Sequence, residues 1–341
     1  MSSKTDFAKY MGTYFQEYLT HERNVSVNTQ KAYRDVFVQF IDYMRTVHKI
    51  SVEKLSLKHF TKKHILEFLK MLLTEKQCSA STRNQRLAAF KSFARYLQYN
   101  DIERIGIFQD IITIPQLKCD NPVMNYLSVE GIKLLLSQPN CLSRKGKRHL
   151  VILSLMYETG ARVQELCDLR VDSLRIDNKP YSIRLFGKGS KGRVVPLSEE
   201  IVNLLKEYME EYKLANANML KHPLFFNNRC EKLTRAGVTY ILDTYTAMAR
   251  KENANLIPPS CSCHCIRHSR AMHLLQAGVN LIYIRDILGH TSVKTTEVYA
   301  KADSKFKQEA LEKAYIKALP TINTNKIWQE DSDIREWLKS L

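Results

Sequence analysis

The sequence lacks any apolar stretch that could cross a membrane. The longest apolar run, LVILSLMY from Leu150, is short, whereas a transmembrane helix needs about 20 residues. Met1 is followed by polar residues rather than by a signal-peptide pattern. These absences exclude a membrane-embedded protein, and we expect a cytoplasmic, nucleoid-associated chain.

Glycine and proline are also scarce, with 11 and 9 among 341 residues. All-β folds need many turn residues, so this scarcity favours helices. At about 150 residues per domain, the length fits two domains. The eight cysteines are expected to be reduced thiols, because disulfides are rare in cytosolic chains.

Acidic residues are outnumbered, 35 against 52 lysines and arginines, which gives a net charge of +17. Residues 1–118 carry +8 of this charge and residues 119–341 carry +9. A strongly basic balance is typical of proteins that bind a polyanion, nucleic acid above all. Both halves can therefore contact the same polyanion, although a solvated basic surface would give the same composition.

Residues 1–114 are predicted to form a small helical bundle. Asn28 and either Ser79 or Ser81 are the candidate caps of the second and fourth helices. The fourth helix begins with a basic stripe that is our candidate for nucleic-acid binding, an ordinary solvent-facing side being the alternative; the stripe is Arg83, Arg86 and Lys91. The four segments with helical apolar spacing are FAKYMGTYFQEYL, NTQKAYRDVFVQFIDYM, KKHILEFLKMLL and SASTRNQRLAAFKSFARYLQYN.

A linker is predicted over residues 115–125, because TIPQLKCDNPVMNYLS contains two prolines and no helical period. Ser128 is the expected N-cap of the next helix. RHLVILSLMYETGARVQELCDL predicts a buried helix, a turn at Gly160 and another helix. SIRLFGKGSKGRVVPLS alternates like two strands around a glycine-rich turn, which predicts a β-hairpin.

Motifs in the second half resemble, in order and spacing, the catalytic domain of the tyrosine recombinase (phage-integrase) family. TGARVQEL resembles the first arginine motif, GKGSKGRVVPL the β-hairpin, HCIRHS the H-x-x-R motif and LGHTSVKTTEVYA the closing motif. The resemblance covers roughly residues 126–302, and the helical first half resembles the family's core-binding domain more loosely. The residues at the matching positions are Arg162, Glu165, Lys188, His264, Arg267, His290 and Tyr299.

The resemblance implies a site-specific DNA recombinase that cleaves and rejoins strands through a covalent 3′-phosphotyrosine intermediate and a Holliday junction. Tyr299 would be the nucleophile. Arg162 and Arg267 would stabilise the charge that gathers on the phosphate oxygens in the transition state. Lys188 would protonate the leaving 5′-oxygen.

The remaining matched residues would support this chemistry. His264 would accept a proton or donate to the phosphate, and His290 would hydrogen-bond a non-bridging oxygen. Glu165 would orient Arg162 or His264. The scheme requires no metal ion and no other cofactor. The ordinary alternatives are a surface ion pair for Arg162 and Glu165, and a satisfied core histidine for His264.

The implied fold is mainly α. An N-terminal core-binding bundle (1–114) and a mixed, mostly α catalytic domain with a small β-hairpin (126–316) would form a clamp around double-stranded DNA that carries a specific site. The tail, 317–341, is net neutral in a chain of +17, so a protein partner is expected for it. Its Trp337 would anchor an amphipathic helix that ties subunits into a tetramer, packing on its own domain being the alternative.

Other functions fit parts of the pattern. A type IB topoisomerase or a DNA-end resolvase would use the same chemistry, whereas a non-catalytic DNA-binding regulator would not need the full set of motif residues. Cys261, Cys263 and Cys265 suggest a zinc site, but C-x-C-x-C lacks the usual ligand spacing. We therefore predict no metal at these cysteines.

Overall fold

The structure, a computed structural model, describes residues 5–119, 124–187, 192–227, 229–290, 292–302 and 332–340. The backbone divides into two compact units, unit 1 (residues 1–122) and unit 2 (residues 123–341). Two units agree with the number expected from the length. The finer division at 114 and 126, and the separate role of the tail, stay predictions.

The regular elements that the structure describes within residues 5–119 of unit 1 are all helical. Ser79 caps α4 as expected, because its hydroxyl accepts a hydrogen bond from the Thr82 N–H. The longer elements are α1 (Asp6–Thr13), a π-helical segment (Tyr14–Glu22), α2 (Val27–Thr46), α3 (Lys62–Thr74), α4 (Ala80–Asn100) and α5 (Ile105–Ile112), with 3-10 turns at Val52–Lys54, Leu57–His59 and Ile102–Arg104.

The first two helices differ in detail from the expectation. The Arg23 N–H donates to the Tyr18 carbonyl at 2.8 Å, five residues back, so the first helix widens into a π-helical segment. The cap of α2 is Ser26 rather than Asn28, since the Ser26 hydroxyl accepts from the Thr29 N–H. Asn28 instead lies inside the first turn of α2.

Aromatic rings fill the core of unit 1. The rings of Phe37 and Phe90 meet edge to face, 5.5 Å apart at 88°. Phe40 and Phe68 repeat this arrangement at 5.6 Å and 87°. Edge-to-face pairs add about 0.5–1.5 kcal/mol each beyond the area they bury. The aromatic residues at helical spacing in the sequence are thus core residues that hold α2, α3 and α4 together.

Unit 2 is mostly helical and contains one small sheet, which confirms the predicted fold class. Ser128 caps α6 as expected, its hydroxyl accepting from the Gly131 N–H. The elements are α6 (Val129–Ser137), α7 (Arg144–Thr159), α8 (Val163–Cys167), β1 (Leu174–Arg175), β2 (Ser182–Phe186), β3 (Gly192–Pro196), α9 (Glu199–Glu211), α10 (Arg235–Glu252), α11 (Cys263–Gln276), α12 (Leu281–Leu288), α13 (Val293–Ala302) and the tail helix (Ser332–Ser340).

The sheet has three antiparallel strands in the order β1-β2-β3. The predicted hairpin is confirmed as β2 and β3, with Ile183 opposite Val195 and Leu185 opposite Arg193. Alternation along a strand puts Arg193 on the same face as the buried Val195. Lys188 lies outside the described residues, so the structure gives no position for the predicted general acid.

The apolar interior of unit 2 falls into two clusters. The larger one packs α6 to α11 around the sheet. The smaller one joins α11, α12 and α13, and it includes Leu275, Leu288 and Tyr299. Among the described residues, no helix is long and apolar enough to cross a membrane.

Candidate active site

The turn between α7 and α8 presents Arg162. Gly160 ends α7 in the left-handed conformation, with φ +56°, and a Cβ there would approach Leu288 Cδ2 to 2.7 Å. Arg162 follows as the N-cap of α8. Its Nη1 donates to Glu165 Oε1 at 2.8 Å, while Glu165 Oε2 accepts from the Arg162 backbone N–H at 2.9 Å. The half-buried Arg162 is thereby held at the helix start.

Glu165 is buried and joins two arginines. Arg193, on β3, donates through Nη1 and Nη2 to both of its carboxylate oxygens, at 2.9 and 2.7 Å. Burial pushes the pKa of the Glu165 carboxyl upward, but the hydrogen bonds and charges of Arg193 and Arg162 outweigh burial and leave the pKa below its ordinary value. Glu165 is therefore an ionised anchor for Arg162 and Arg193 rather than a group free to exchange protons.

Arg267, on α11, is 3% exposed. Its Nη1 donates to the Gly160 carbonyl and its Nη2 to the Leu288 carbonyl, both at 2.6 Å. Burial, with help from the charges of Arg162 and Arg193, lowers the pKa of Arg267 to about 10. The guanidinium is still charged at neutral pH, and only two of its five N–H groups are used by these bonds.

Three consecutive carbonyls at the end of α12 anchor the three arginines. The Ile287 carbonyl accepts from Arg193 Nε at 2.7 Å. The Leu288 carbonyl accepts from Arg267, and the Gly289 carbonyl accepts from Arg162 Nη2 at 3.2 Å. The last carbonyls of a helix have no partner within the helix and carry partial negative charge. Helix α12 thus gathers three cations that would otherwise repel one another.

Tyr299, on α13, faces this cation cluster and is 2% exposed. Its hydroxyl lies 3.0 Å from Nδ1 of His268, one residue beyond Arg267 on α11. Burial raises the pKa of Tyr299, while the charges of Arg267 and Arg162 partly oppose that rise. The phenol is therefore protonated at rest, with a histidine nitrogen as its hydrogen-bond partner.

His290 lies beside the phenol. Its ring is nearly parallel to that of Tyr299, 6.3 Å away at 10°. Its Nδ1 lies 2.9 Å from Oγ1 of Thr296, which is fully buried on α13. Burial, then the charges of Arg267, Arg162 and others, lower the pKa of His290 to about 4. His290 is consequently neutral at pH 7.

The structure places some of the predicted site residues close together and leaves His264 apart from them. Arg162, Glu165, Arg267, His290 and Tyr299 form one cluster, as the preceding contacts describe. His264 is exposed one turn before His268, and the two rings are 6.3 Å apart.

Sequence reasoning missed three residues of the cluster, namely Arg193, His268 and Thr296. Each had a signal. Arg193 lies on the inward face of a strand, where a cation needs a partner. His268 follows His264 by four positions and so shares its helix face. Thr296 precedes Tyr299 by three positions on α13.

The basic stripe of α4 is only partly exposed. Arg83 is buried, and its Nη1 donates to the Pro115 carbonyl at 2.9 Å and to Asn84 Oδ1 at 3.2 Å. The expected surface stripe is therefore broken at Arg83 in this conformation. Contact of Arg83, Arg86 and Lys91 with DNA stays a prediction.

The cysteines at the start of α11 pack as thiols. Cys261 and Cys265 are buried, and the hydrogen bond that the Cys261 thiol donates to Cys265, together with burial, raises the pKa of Cys261. Cys263 lies within 4.0 Å of Thr239 Oγ1. In the part of the chain that the structure describes, these three do not meet as a group of metal ligands.

Comparisons with known proteins match both units. The phage integrase family matches residues 125–305, and the N-terminal SAM-like domain of phage integrases matches residues 13–104. A tyrosine recombinase XerC of Myxococcus xanthus is 31% identical over 311 residues, which is 89% of this chain and 97% of that protein. A putative integrase/recombinase, y4rC, of Sinorhizobium fredii is 28% identical over the whole of both chains.

Solved structures share the fold. The post-cleavage complex of the XerH site-specific recombinase with palindromic difH substrate aligns with a TM-score of 0.66 at 22% identity, over 97% of this chain and 92% of that one. A Tn1549 transposon integrase in complex with a circular intermediate DNA aligns equally well, with a TM-score of 0.66 at 19% identity, over 92% of this chain and all of that one.

The family match and the similarity to XerC define the class, a tyrosine-type site-specific recombinase that acts as a DNA strand transferase. The family match spans more than half of the chain, and the similarity to XerC runs along nearly its whole length. The chain belongs to the phage integrase family of tyrosine recombinases, and it is an enzyme of site-specific DNA recombination.

Proposed function

We propose that Tyr299 cleaves DNA by attacking a phosphodiester, forming a 3′-phosphotyrosine bond and releasing a free 5′-hydroxyl. The observation that carries this assignment is the contact between Tyr299 Oη and His268 Nδ1, at 3.0 Å, beside Arg267. This contact places a candidate nucleophile, Tyr299, beside a candidate base, His268, and next to the buried cation of Arg267. A nucleophile within hydrogen-bond reach of a base is the arrangement that covalent catalysis needs.

Arg162 and Arg267 bind the phosphate in this proposal. Both guanidiniums keep N–H groups beyond those used by backbone carbonyls and Glu165. Two guanidiniums can donate to the non-bridging oxygens and stabilise the charge that grows there in the transition state. Because their positions are fixed before DNA arrives, little reorganisation is needed during the reaction.

The phenol proton passes to His268 as the bond to phosphorus forms. Burial, then the charges of His264 and Arg267, lower the pKa of His268. The ring is therefore neutral at pH 7 and can accept a proton. Of the two roles expected for His264, accepting a proton or donating to the phosphate, the second fits its exposed ring in this proposal. His290, neutral and held through Nδ1 by Thr296, can donate from Nε2 to a non-bridging oxygen.

The leaving 5′-oxygen takes its proton from Lys188. The support for this role is the sequence of the hairpin turn, GKGSKGR, together with the β2–β3 hairpin that carries the turn. In the second half of the reaction a 5′-hydroxyl of the partner strand attacks the phosphotyrosine, and the phenol leaves. The bond energy is kept in the covalent intermediate, so neither ATP nor a metal ion enters the scheme.

The DNA partner is a duplex that carries a specific recombination site. We assign the core-binding role to residues 1–114, the catalytic role to residues 126–316 and the linker to residues 115–125. The nearly even division of charge, +8 before residue 119 and +9 after it, supports a clamp in which both domains contact phosphates. Arg86 and Lys91, with Arg83 if it is released from Pro115, supply part of the first surface.

Recombination then proceeds in a homo-tetramer through a Holliday junction. We propose that the tail, 317–341, makes the contacts between subunits. Trp337 is 62% exposed on the tail helix and Leu338 beside it is 56% exposed, so both side chains are available to a protein partner. Aromatic residues are favoured anchors at interfaces.

A nicked suicide substrate tests the proposal. Covalently trapped DNA is first recovered from cells and sequenced to define the site, and a duplex of that sequence is nicked next to the scissile phosphate. Wild-type protein is expected to accumulate a covalent adduct with a free 5′-end, and Tyr299→Phe to give none while binding the site normally. Binding without any wild-type adduct would instead identify a non-catalytic regulator. Relaxation of plasmids without strand exchange would identify a topoisomerase.

A further inference from the structure

Two histidines and a glutamate of unit 1 converge at the end of α2. His48 lies two residues beyond that helix, and His64 and Glu67 lie three positions apart on α3. One ligand atom from each side chain lies within 4.8 Å of the other two. The recombination chemistry proposed above uses none of these residues.

The His48–Glu67 contact is short but is not a hydrogen bond. His48 Nε2 and Glu67 Oε2 are 3.3 Å apart. Both atoms are buried, and neither has a hydrogen-bond partner among the described residues. The two atoms form an ion pair only when His48 is protonated. With a neutral His48 they are two buried polar atoms that face each other without a hydrogen bond, whereas most buried polar atoms are paired. When His48 Nε2 and Glu67 Oε2 both present lone pairs, a cation bound between them gives each lone pair a partner.

His64 is oriented so that its second nitrogen is free for a metal. Its Nδ1 lies 2.8 Å from the His59 carbonyl oxygen and 3.1 Å from Thr61 Oγ1. A carbonyl oxygen only accepts, so Nδ1 of the neutral ring carries the proton and Nε2 carries the lone pair. Metal-binding histidines are usually held in this way, by a second-nitrogen bond to a backbone carbonyl or a carboxylate.

We propose that His48, His64 and Glu67 bind one divalent transition-metal ion, Zn²⁺ being the ion that fits best. Two imidazoles and a carboxylate are a common zinc ligand set, with water in the fourth position. Bonds of about 2.0–2.1 Å give a tetrahedral site edges of about 3.4 Å. The His48–Glu67 distance of 3.3 Å already matches such an edge. The ligand atom of His64 lies within 4.8 Å of the other two, so the site closes when His64 moves toward them.

The ion would fasten the loop after α2 to α3. Lys49 directly follows His48 with φ +56°, and the His48 ring packs edge to face on that of His64, 4.7 Å between centroids. The bound ion therefore joins the segment after α2 to α3. Because an ion that binds only the folded state stabilises that state by mass action, zinc is expected to raise the melting temperature of the chain.

Full-length protein stripped with a chelator provides the test. Zn²⁺ is titrated in competition with a chromophoric chelator, and Co²⁺ is added separately for its visible spectrum. We expect one ion per chain, a melting temperature that rises with zinc concentration, and Co²⁺ bands without the near-ultraviolet thiolate absorption that the eight cysteines would give. One ion bound with strong thiolate absorption would overturn the assignment.

Three variants separate metal binding from a simple ion pair. His64→Ala and Glu67→Gln are each expected to weaken Zn²⁺ binding at least about a hundredfold, more than the loss of an outer hydrogen bond causes. The matched control is His21→Ala, an exposed histidine of the same unit, which is expected to bind like wild type. If His64→Ala is less stable than wild type before metal is added, its binding result is set aside. Glu67→Gln, which keeps the side-chain volume, then provides the test. Unchanged zinc affinity in Glu67→Gln would overturn the proposal.

Discussion

The phenolic oxygen of Tyr299 lies 3.0 Å from Nδ1 of His268. His268 follows Arg267 directly, so one turn of α11 contributes both a buried cation and the partner of the phenol. Helix α11 thereby supplies both the hydrogen-bond partner of the proposed nucleophile and the cation beside that partner.

His268→Gln is expected to slow single-turnover cleavage by about 10²–10⁴-fold, the usual contribution of a general base. The loss should shrink as pH rises, because phenolate then forms without a base. Cleavage of the nicked substrate is measured from pH 6 to pH 10, with His21→Ala as the control. A loss that is the same at every pH would mean that His268 only supports the packing of Tyr299.

Arg162→Lys keeps the positive charge but loses the planar fork. It is expected to lower the cleavage rate by about 10²–10³-fold, since one transition-state donor pair is lost. Site affinity should stay near that of wild type, which filter binding measures. A cleavage rate within threefold of the wild-type rate would show that Arg162 does not bind the phosphate in the transition state. Because Arg162 is half-buried, this variant is also expected to fold.

His290 should make stability depend on pH. Its pKa is about 4 in the folded protein and 6.5 in the unfolded chain. Between these values the unfolded chain binds a proton that the folded protein does not, so the contribution is full above pH 6.5 and is lost as pH falls toward 4. The wild-type melting temperature should therefore fall more than that of His290→Asn between pH 7 and pH 5. Equal falls would contradict the lowered pKa.

Lys188→Ala should lose cleavage of normal DNA and regain it on a substrate with sulfur at the 5′-bridging position, because the thiolate leaves without a proton. Lys191→Ala is the matched control from the same turn. Initial rates on both substrates are compared for both variants. Rescue of Lys191→Ala instead would transfer the general-acid role to that residue.

Trp337→Ala is expected to leave binding to a single site within about twofold and to weaken the assembly of two sites at least about tenfold, as loss of an interface anchor does. Sedimentation and native gels on site-bearing DNA distinguish the two states. Trp337→Phe, which keeps an aromatic ring, serves as the control. A Trp337→Ala protein that assembles and recombines normally would leave the tail helix without this role.

Much of the site could be predicted from the sequence because its chemistry resides in side chains at fixed spacing. The resemblance of their motifs to those of a known family was enough to predict that Arg162, Arg267 and Tyr299 lie in one cluster. The anchors of the arginines could not be predicted in the same way, since Leu288 and Gly289 act through backbone carbonyls that any residue possesses. Only the tertiary fold brings these oxygens to the guanidiniums.

The sequence was less informative about which of two similar residues does which task. His264 and His268 share a helix face, and only the packing of α13 decides that His268 meets Tyr299. Arg83 is a comparable case, because a basic stripe does not reveal that the Pro115 carbonyl covers one of its members. Both outcomes depend on contacts between residues far apart in the chain, which local periodicity does not encode.

The three carbonyls of residues 287–289 are synthesised after all three arginines that they bind, and Tyr299 is synthesised later still. Unit 1 and the segments that carry Arg162, Arg193 and Arg267 leave the ribosome before these carbonyls do. Until then Arg162 and Arg193 share only Glu165, Arg267 lacks its bond to the Leu288 carbonyl, and Tyr299 has not been made. A nascent chain can therefore be drawn to nucleic acid by its charge before the residues of the proposed active site are all present.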